Sequence, residues 1–320
     1  MSNKIVIVFP GQGSQIVGMG LDIYKNHHIA KQVFEEVDDS LNEKLSKVIF
    51  EGPDKKLTYT PNTQPALMTV SMAIIRVIEY ELKKKITDIS EVILGHSLGE
   101  YSALCSLDSI DLGSTALLLR KRGEAMQSAI KNTETKMVAV IGLEINIIEE
   151  IINENKLISD EVCEIANDNC PGQIILSGTK GGVDFISEKL KNTGARSIIN
   201  LKVSAPFHCS LMKGASIKME RNLEKINFRE LKSKFISNVT ANYENDPKLI
   251  KNLLIEQICS RVRWRESIIK STNNTNFIVE IGSGKVLTGM NKRIDRNYES
   301  LNVSNLEEAD IFFKRLKEII

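Results

Sequence analysis

Apolar residues first appear as an unbroken run, Ile5-Val6-Ile7-Val8-Phe9, which ends at Pro10-Gly11. A short apolar run closed by a turn pair predicts a strand buried on both faces. Apolar positions spaced three and four apart then predict helices over about 15–25, 27–48 and 64–85. A second run, Glu91-Val92-Ile93-Leu94, predicts another buried strand. One helix is expected to start near Leu98 and another to cover about 113–131. Strands alternating with helices build an α/β fold around a parallel sheet.

The rhythm changes near residue 133. A strand is predicted over 136–143, a helix over 146–156, strands over 162–166 and 173–178, a helix over 181–193 and a last strand over 196–203. The order β-α-β-β-α-β is that of a ferredoxin-like unit. A small subdomain over 133–203 is therefore expected inside a larger domain made of 1–132 and 204–320.

Composition narrows the function classes. With 320 residues, 42% of them apolar, the chain can bury a large core, and a net charge of +1 gives no electrostatic reason to expect nucleic acid as a partner. The five cysteines are odd in number and none forms a C-x-x-C pair. Neither a disulfide framework nor a metal site is expected, and a reducing cytoplasm is the simplest compartment. The first apolar run is too short for a signal-peptide core, and no run has transmembrane length, so no membrane partner is expected.

Gly95-His96-Ser97-Leu98-Gly99 matches G-x-S-x-G between a predicted strand and a predicted helix. In that context the turn lifts a serine hydroxyl out of the sheet, and the helix N-terminus behind it favours developing negative charge. Serine needs a base to take its proton. Of the four histidines, His27 and His28 lie on an early polar helix, and His96 adjoins the serine on a tight turn. His208, mounted on Ala205-Pro206-Phe207, remains as the candidate base. Asp168 has the right chain order for a third member but sits in the inserted unit, so a side-chain amide or a backbone carbonyl stays open as the group orienting His208. Two phosphate motifs fail. Ile16 stands where G-x-G-x-x-G needs its third glycine after Gly11 and Gly13, and Val279 and Val286 replace key P-loop positions around Gly284-Lys285. The Gly11-Gln12-Gly13 loop is instead placed to face the serine, where its N–H groups and that of Leu98 would form an oxyanion hole.

Seven ordered motifs then resemble one family. They are Phe9-Pro10-Gly11-Gln12-Gly13-Ser14-Gln15, Thr63-Gln64-Pro65-Ala66-Leu67, Gly95 through Glu100, Arg122-Gly123-Glu124-Ala125-Met126, Ala205 through His208, Gln257 ahead of Val262-Arg263-Trp264, and Glu280-Ile281-Gly282 through Leu287-Thr288-Gly289. Together they resemble the malonyl-CoA:acyl-carrier-protein transacylases. The resemblance implies an α/β-hydrolase-like large domain with a ferredoxin-like insert. It implies Ser97 as nucleophile, His208 as base, the N–H groups of Gln12 and Leu98 as oxyanion donors, Arg122 as ligand of the malonyl carboxylate, and Gln257 as a residue holding the histidine. It further implies malonyl-CoA and an acidic acyl carrier protein as partners, no cofactor, and action as a monomer. On composition alone Arg122 would be read as a solvated helix residue in the run Arg120-Lys121-Arg122. Leu98 and Phe207 resemble the malonyl-selective choices of related polyketide acyltransferases, and Gln64 and Asn167 are further pocket candidates. Arg261, Arg263, Arg265, Lys292, Arg293 and Arg296 are candidates for facing the carrier. A serine esterase or thioesterase, a polyketide acyltransferase and a non-catalytic module are the competing readings.

Overall fold

Strand β1 (Ile5–Phe9) lies inside a six-stranded sheet in the computed structural model, which describes residues 4–130, 133–155, 157, 160–275 and 277–319. Its five side chains are buried on alternating faces. Ile5, Ile7 and Phe9 enter one apolar core, and Val6 and Val8 enter a second with Val92, Leu94 and Trp264. Burial on both faces is why the run reads as continuous rather than alternating; each such side chain contributes about 1.5–3 kcal/mol.

The other strands are β2 (Ser90–Gly95), β3 (Thr135–Ile141), β4 (Cys163–Cys170), β5 (Gln173–Thr179), β6 (Ser197–Asn200), β7 (Lys234–Ile236), β8 (Tyr243–Glu244), β9 (Phe277–Ile281) and β10 (Glu299–Val303). The large sheet has the order β10-β9-β1-β2-β7-β8 and is parallel except for β8, which pairs antiparallel with β7. Phe9 pairs with Gly95, so the loops after β1 and β2 emerge side by side at one sheet edge. Loops at the carboxyl edge of a parallel sheet are where such folds place their sites.

Strands β3 to β6 form a separate antiparallel sheet in the order β4-β5-β3-β6. Helices Ile145–Glu154 and Lys180–Thr193 cover it, burying Ile148, Val183, Ile186 and Leu190 in a core distinct from the other two. Backbone bonds tie β4 to the segment between helices Pro247–Gln257 and Trp264–Ser271, Asp168 N–H to Val262 O at 2.9 Å and Val262 N–H to Ala166 O at 2.8 Å.

Some element bounds differ from the sequence expectation. The helix expected over 15–25 occupies only Leu21–Asn26, because Gly18 and Gly20 take left-handed backbone at φ 92° and 72°. The stretch 27–48 is two helices, His28–Leu41 and Leu45–Glu51, broken where Asn42 adopts φ 51°. The helix expected over 64–85 begins earlier, at Thr60, with Pro61 in its first turn, where a missing N–H costs nothing. β4 runs on to Cys170, and β6 stops at Asn200. The expected helix ends at 131 and 156 and the boundary at 132 lie outside the described residues. Among the described residues no helix is long and apolar enough to cross a membrane, and no cluster of three or more His, Cys, Asp or Glu is arranged to hold a metal ion. The five cysteines are free thiols.

Candidate active site

The turn after β2 depends on its glycines. A methyl on Gly95 would run into the Gly99 carbonyl, and one on Gly99 would run into the Phe9 carbonyl. Between them Ser97 sits at φ 54°, a left-handed conformation that a non-glycine residue adopts only when its surroundings impose it. Asn238, just beyond β7, supplies that constraint. Its Oδ1 accepts from the Ser97 amide at 2.7 Å and its Nδ2 donates to Gly95 O at 2.8 Å.

His208 reaches the same point from the loop after the small sheet. Ser97 Oγ lies 2.8 Å from His208 Nε2, and His208 Nδ1 lies 2.8 Å from the Gln257 carbonyl. That carbonyl ends the helix Pro247–Gln257. It is one of the acceptors a helix leaves unpaired at its C-terminus, where the dipole favours positive charge. With the Nδ1 proton donated there, Nε2 is left to accept from Ser97. The imidazole is buried, and burial together with the Arg122 charge lowers its pKa to about 3, so it is neutral at working pH.

Arg122 is brought in by helix packing. Gly123 lies against the Pro61 backbone at the start of helix Thr60–Leu82, and any side chain there would hold helix Leu112–Gln127 away. The Arg122 side chain is 1% exposed. Its NH1 donates to Gln64 Oε1 at 2.8 Å, and its NH2 donates to Gln257 Oε1 at 2.8 Å and to Ser97 Oγ at 3.1 Å. All three acceptors are neutral, and among the described residues Nε has no hydrogen-bond partner. Burial lowers the guanidinium pKa, Tyr101 and Glu100 opposing, but arginine stays charged in proteins. A buried cation hydrogen-bonded only to neutral acceptors favours an incoming anion.

The loop after β1 completes the arrangement. Gly11 packs on His96, where a Cβ would lie 2.9 Å from Nδ1 and from the carbonyl oxygen. Among the described residues the amides of Gln12 and Leu98 donate to no protein acceptor. Both residues line a cleft of about 340 Å³ together with Ser97, Arg122, Phe207 and His208. Gln64 and Asn167 line it too. Cys209 is fully buried, with its thiol 3.1 Å from Pro206 O.

Other candidates fall away or change role. Asp168 pairs with Arg265 at 3.0 Å rather than with His208. His96 turns from the serine to Asn169 Oδ1, 3.0 Å from its Nε2. Arg261, Arg263 and Arg265 are each engaged by a carboxylate, Glu149, Glu266 and Glu144 respectively, which weakens them as cations for a carrier. Arg293 holds the β4–β5 hairpin through Gln173 Oε1 and Pro171 O. Two residues were given no role from the sequence, although Glu100 stood in the Gly95 through Glu100 motif. Asn238 gave no signal. Glu100 did give one, a carboxylate on a short helix otherwise made of apolar and small residues, Gly99–Ser106.

The acyl transferase domain family matches residues 6–309 of the chain. The malonyl CoA-acyl carrier protein transacylase of Bacillus subtilis (strain 168) is 40% identical over 320 residues, covering 99% of this chain and 98% of that protein. Among solved structures, the acyl-carrier-protein-S-malonyltransferase of Bartonella henselae superposes with a TM-score of 0.92 at 46% identity, over 98% of this chain and 99% of that one. A malonyl-transacylase in complex with its type II PKS acyl-carrier protein gives a TM-score of 0.92 at 34% identity, over 98% and 99% of the two chains.

Proposed function

Because the chain belongs to the acyl transferase domain family, we infer that it moves a malonyl group from malonyl-CoA to the pantetheine thiol of an acyl carrier protein. The activity is that of an [acyl-carrier-protein] S-malonyltransferase, which supplies fatty-acid chain elongation. The observation that carries the malonyl reading is Arg122, a buried guanidinium that bonds the hydroxyl of Ser97 and has no carboxylate among its hydrogen-bond partners. Malonyl differs from acetyl by one carboxylate, and a guanidinium binds a carboxylate through two parallel hydrogen bonds.

The proposed mechanism is ping-pong. Ser97 Oγ gives its proton to His208 Nε2 and attacks the thioester carbonyl of malonyl-CoA. The N–H groups of Gln12 and Leu98 receive the oxyanion. The tetrahedral adduct collapses, the C–S bond breaks, and the CoA sulfur leaves with the proton from His208. The carrier thiol then gives its proton to His208 and attacks the Ser97 ester. Collapse of the second adduct returns the proton to Ser97 Oγ. Gln257 holds the ring through its carbonyl, and no cofactor enters either half-reaction.

The same reading takes the six-stranded sheet as an α/β-hydrolase-like domain from 1–132 and 204–320. It takes the unit over 133–203 as a ferredoxin-like insert, which the strand order β4-β5-β3-β6 supports. Action as a cytoplasmic monomer, without nucleic acid or membrane, completes the proposal. Polyketide assembly is a second setting for the same chemistry, favoured by the similar transacylase solved with a PKS carrier. The test is to incubate the protein with malonyl-CoA and a phosphopantetheinylated carrier and to quantify malonyl-carrier against free malonate. Malonyl-carrier is expected as the main product. Free malonate in its place would make the protein a hydrolase.

A further inference from the structure

Glu100 is completely buried one helical turn from the nucleophile elbow, and the mechanism above gives it no part. Its two oxygens face two N–H donors. Oε1 accepts from the Asn238 amide, and Oε2 accepts from Gln257 Nε2 at 2.6 Å. Each donor belongs to a residue that touches the site. Asn238 carries the Ser97 amide on its Oδ1, and Gln257 carries Arg122 on its Oε1.

We propose that Glu100 is a positioning residue for malonyl selectivity: its carboxyl group determines which way round the Gln257 side-chain amide sits, so that Oε1 rather than Nε2 meets Arg122. This rests on the malonyl reading of the site. A primary amide has nearly the same shape when its ends are exchanged, so neighbours alone decide its sense. Gln257 Nε2 meets three acceptors, Glu100 Oε2 at 2.6 Å, Ser97 O at 3.0 Å and Asn238 Oδ1 at 3.5 Å, while Oε1 meets the Arg122 NH2 at 2.8 Å. Exchanged, the amide would set N–H against guanidinium N–H and oxygen against three oxygens. Arg122 would then lose the anchor that fixes one arm of its fork.

The need for an acid at 100 follows from the same contacts. A glutamine of equal size presents one acceptor and one NH2, and the NH2 must point at the Asn238 amide or at Gln257 Nε2. Either choice opposes two donors in a site closed to water, where an unpaired buried donor is costly. Burial raises the Glu100 pKa, while the Asn238 amide, the Arg122 charge, Gln257 and Ser237 pull it back toward the ionised form, in which both oxygens accept.

The test is a double-mutant cycle between Glu100→Gln and Gln257→Met, read as the ratio of kcat/KM for malonyl-CoA to kcat/KM for acetyl-CoA, normalised to active sites titrated by acyl-enzyme formation. Gln257→Met keeps the backbone carbonyl that holds His208 and removes only the side-chain amide. Glu100→Gln is expected to lower the ratio about tenfold or more, the size of one hydrogen bond to a charged group. In the Gln257→Met background the same change is expected to alter the ratio less than twofold, because the intermediary is gone. Glu100→Asp, which withdraws the acid by one methylene, is taken through the same cycle so that the result does not depend on one variant folding. An equal effect in both backgrounds would overturn the proposal. So would an unchanged ratio with the loss confined to the number of active sites, which is what a purely structural role produces. A wild type with no malonyl preference would instead overturn the parent reading.

Discussion

Replacing Arg122 tests the substrate assignment, and the geometry sets the size of the effect. The guanidinium is 1% exposed and makes three hydrogen bonds, at 2.8, 2.8 and 3.1 Å, all to neutral acceptors. When a malonyl carboxylate binds it, truncation to alanine leaves that carboxylate desolvated and unpaired. Breaking such a pair costs about 2–5 kcal/mol, equivalent to roughly 30- to 5,000-fold in kcat/KM. Arg122→Ala also removes the hydrogen bond to Ser97 Oγ, but that loss falls on both substrates and cancels in a ratio. The assay is therefore kcat/KM for malonyl-CoA and acetyl-CoA with wild type, Arg122→Ala and Arg122→Lys. Acetyl-CoA has no carboxylate to strand, so the malonyl-to-acetyl ratio should collapse by the factor above in the alanine variant. Lysine should restore part of it, because an ammonium carries the charge but lacks the planar fork. A ratio that is the same in all three proteins would refute the carboxylate role.

His208→Ala should slow both half-reactions by on the order of 10³-fold or more, measured as malonyl-carrier formation, and near-normal turnover would mean another group takes the serine proton. The pH profile follows from the His208 pKa, lowered to about 3 by burial first and the Arg122 charge second. In the proposed mechanism His208 acts as base when neutral, so lowering the pH should disable it only as the pH approaches that value. kcat/KM for malonyl-CoA should lack an acid limb near pH 6.5, and a limb there would contradict the buried, neutral imidazole. Gly99→Ala forces a methyl into the Phe9 carbonyl and should destabilise the protein by about 1–3 kcal/mol in urea unfolding, with loss of acylation. An unchanged unfolding midpoint would contradict the close packing of the elbow.

Legibility along the chain followed the reach of the interactions involved. β1 and β2 could be read because burial on both faces writes the whole interaction into one short run, and the elbow because its glycines act on neighbours close in sequence. Helix breaks at Gly18, Gly20 and Asn42 were missed because the periodicity continues across them and only the backbone angle changes. Within the site, Ser97 announced itself through a local motif and His208 through the scarcity of histidines. Gln257 acts on His208 through its main-chain carbonyl, which no side-chain pattern records, and only family resemblance pointed to it. Asn238 holds the elbow from 141 residues away in sequence, a contact created wholly by the parallel pairing of β2 with β7. The arginines near 261–265 looked like a basic face in one dimension. Arg263 pairs with nearby Glu266, but the partners of Arg265 and Arg261, Glu144 and Glu149, lie more than a hundred residues earlier, at the start of and within helix Ile145–Glu154.

Intact-mass spectrometry after mixing the protein with malonyl-CoA, without carrier, tests the central claim most directly. Acylation should add one malonyl group per chain, peptide mapping should place it on Ser97, and addition of the phosphopantetheinylated carrier should discharge it. Ser97→Ala, with its fold intact by circular dichroism, should acquire no adduct. A malonyl adduct of undiminished yield on Ser97→Ala, or transfer to the carrier with no acylated protein at any time, would contradict the account.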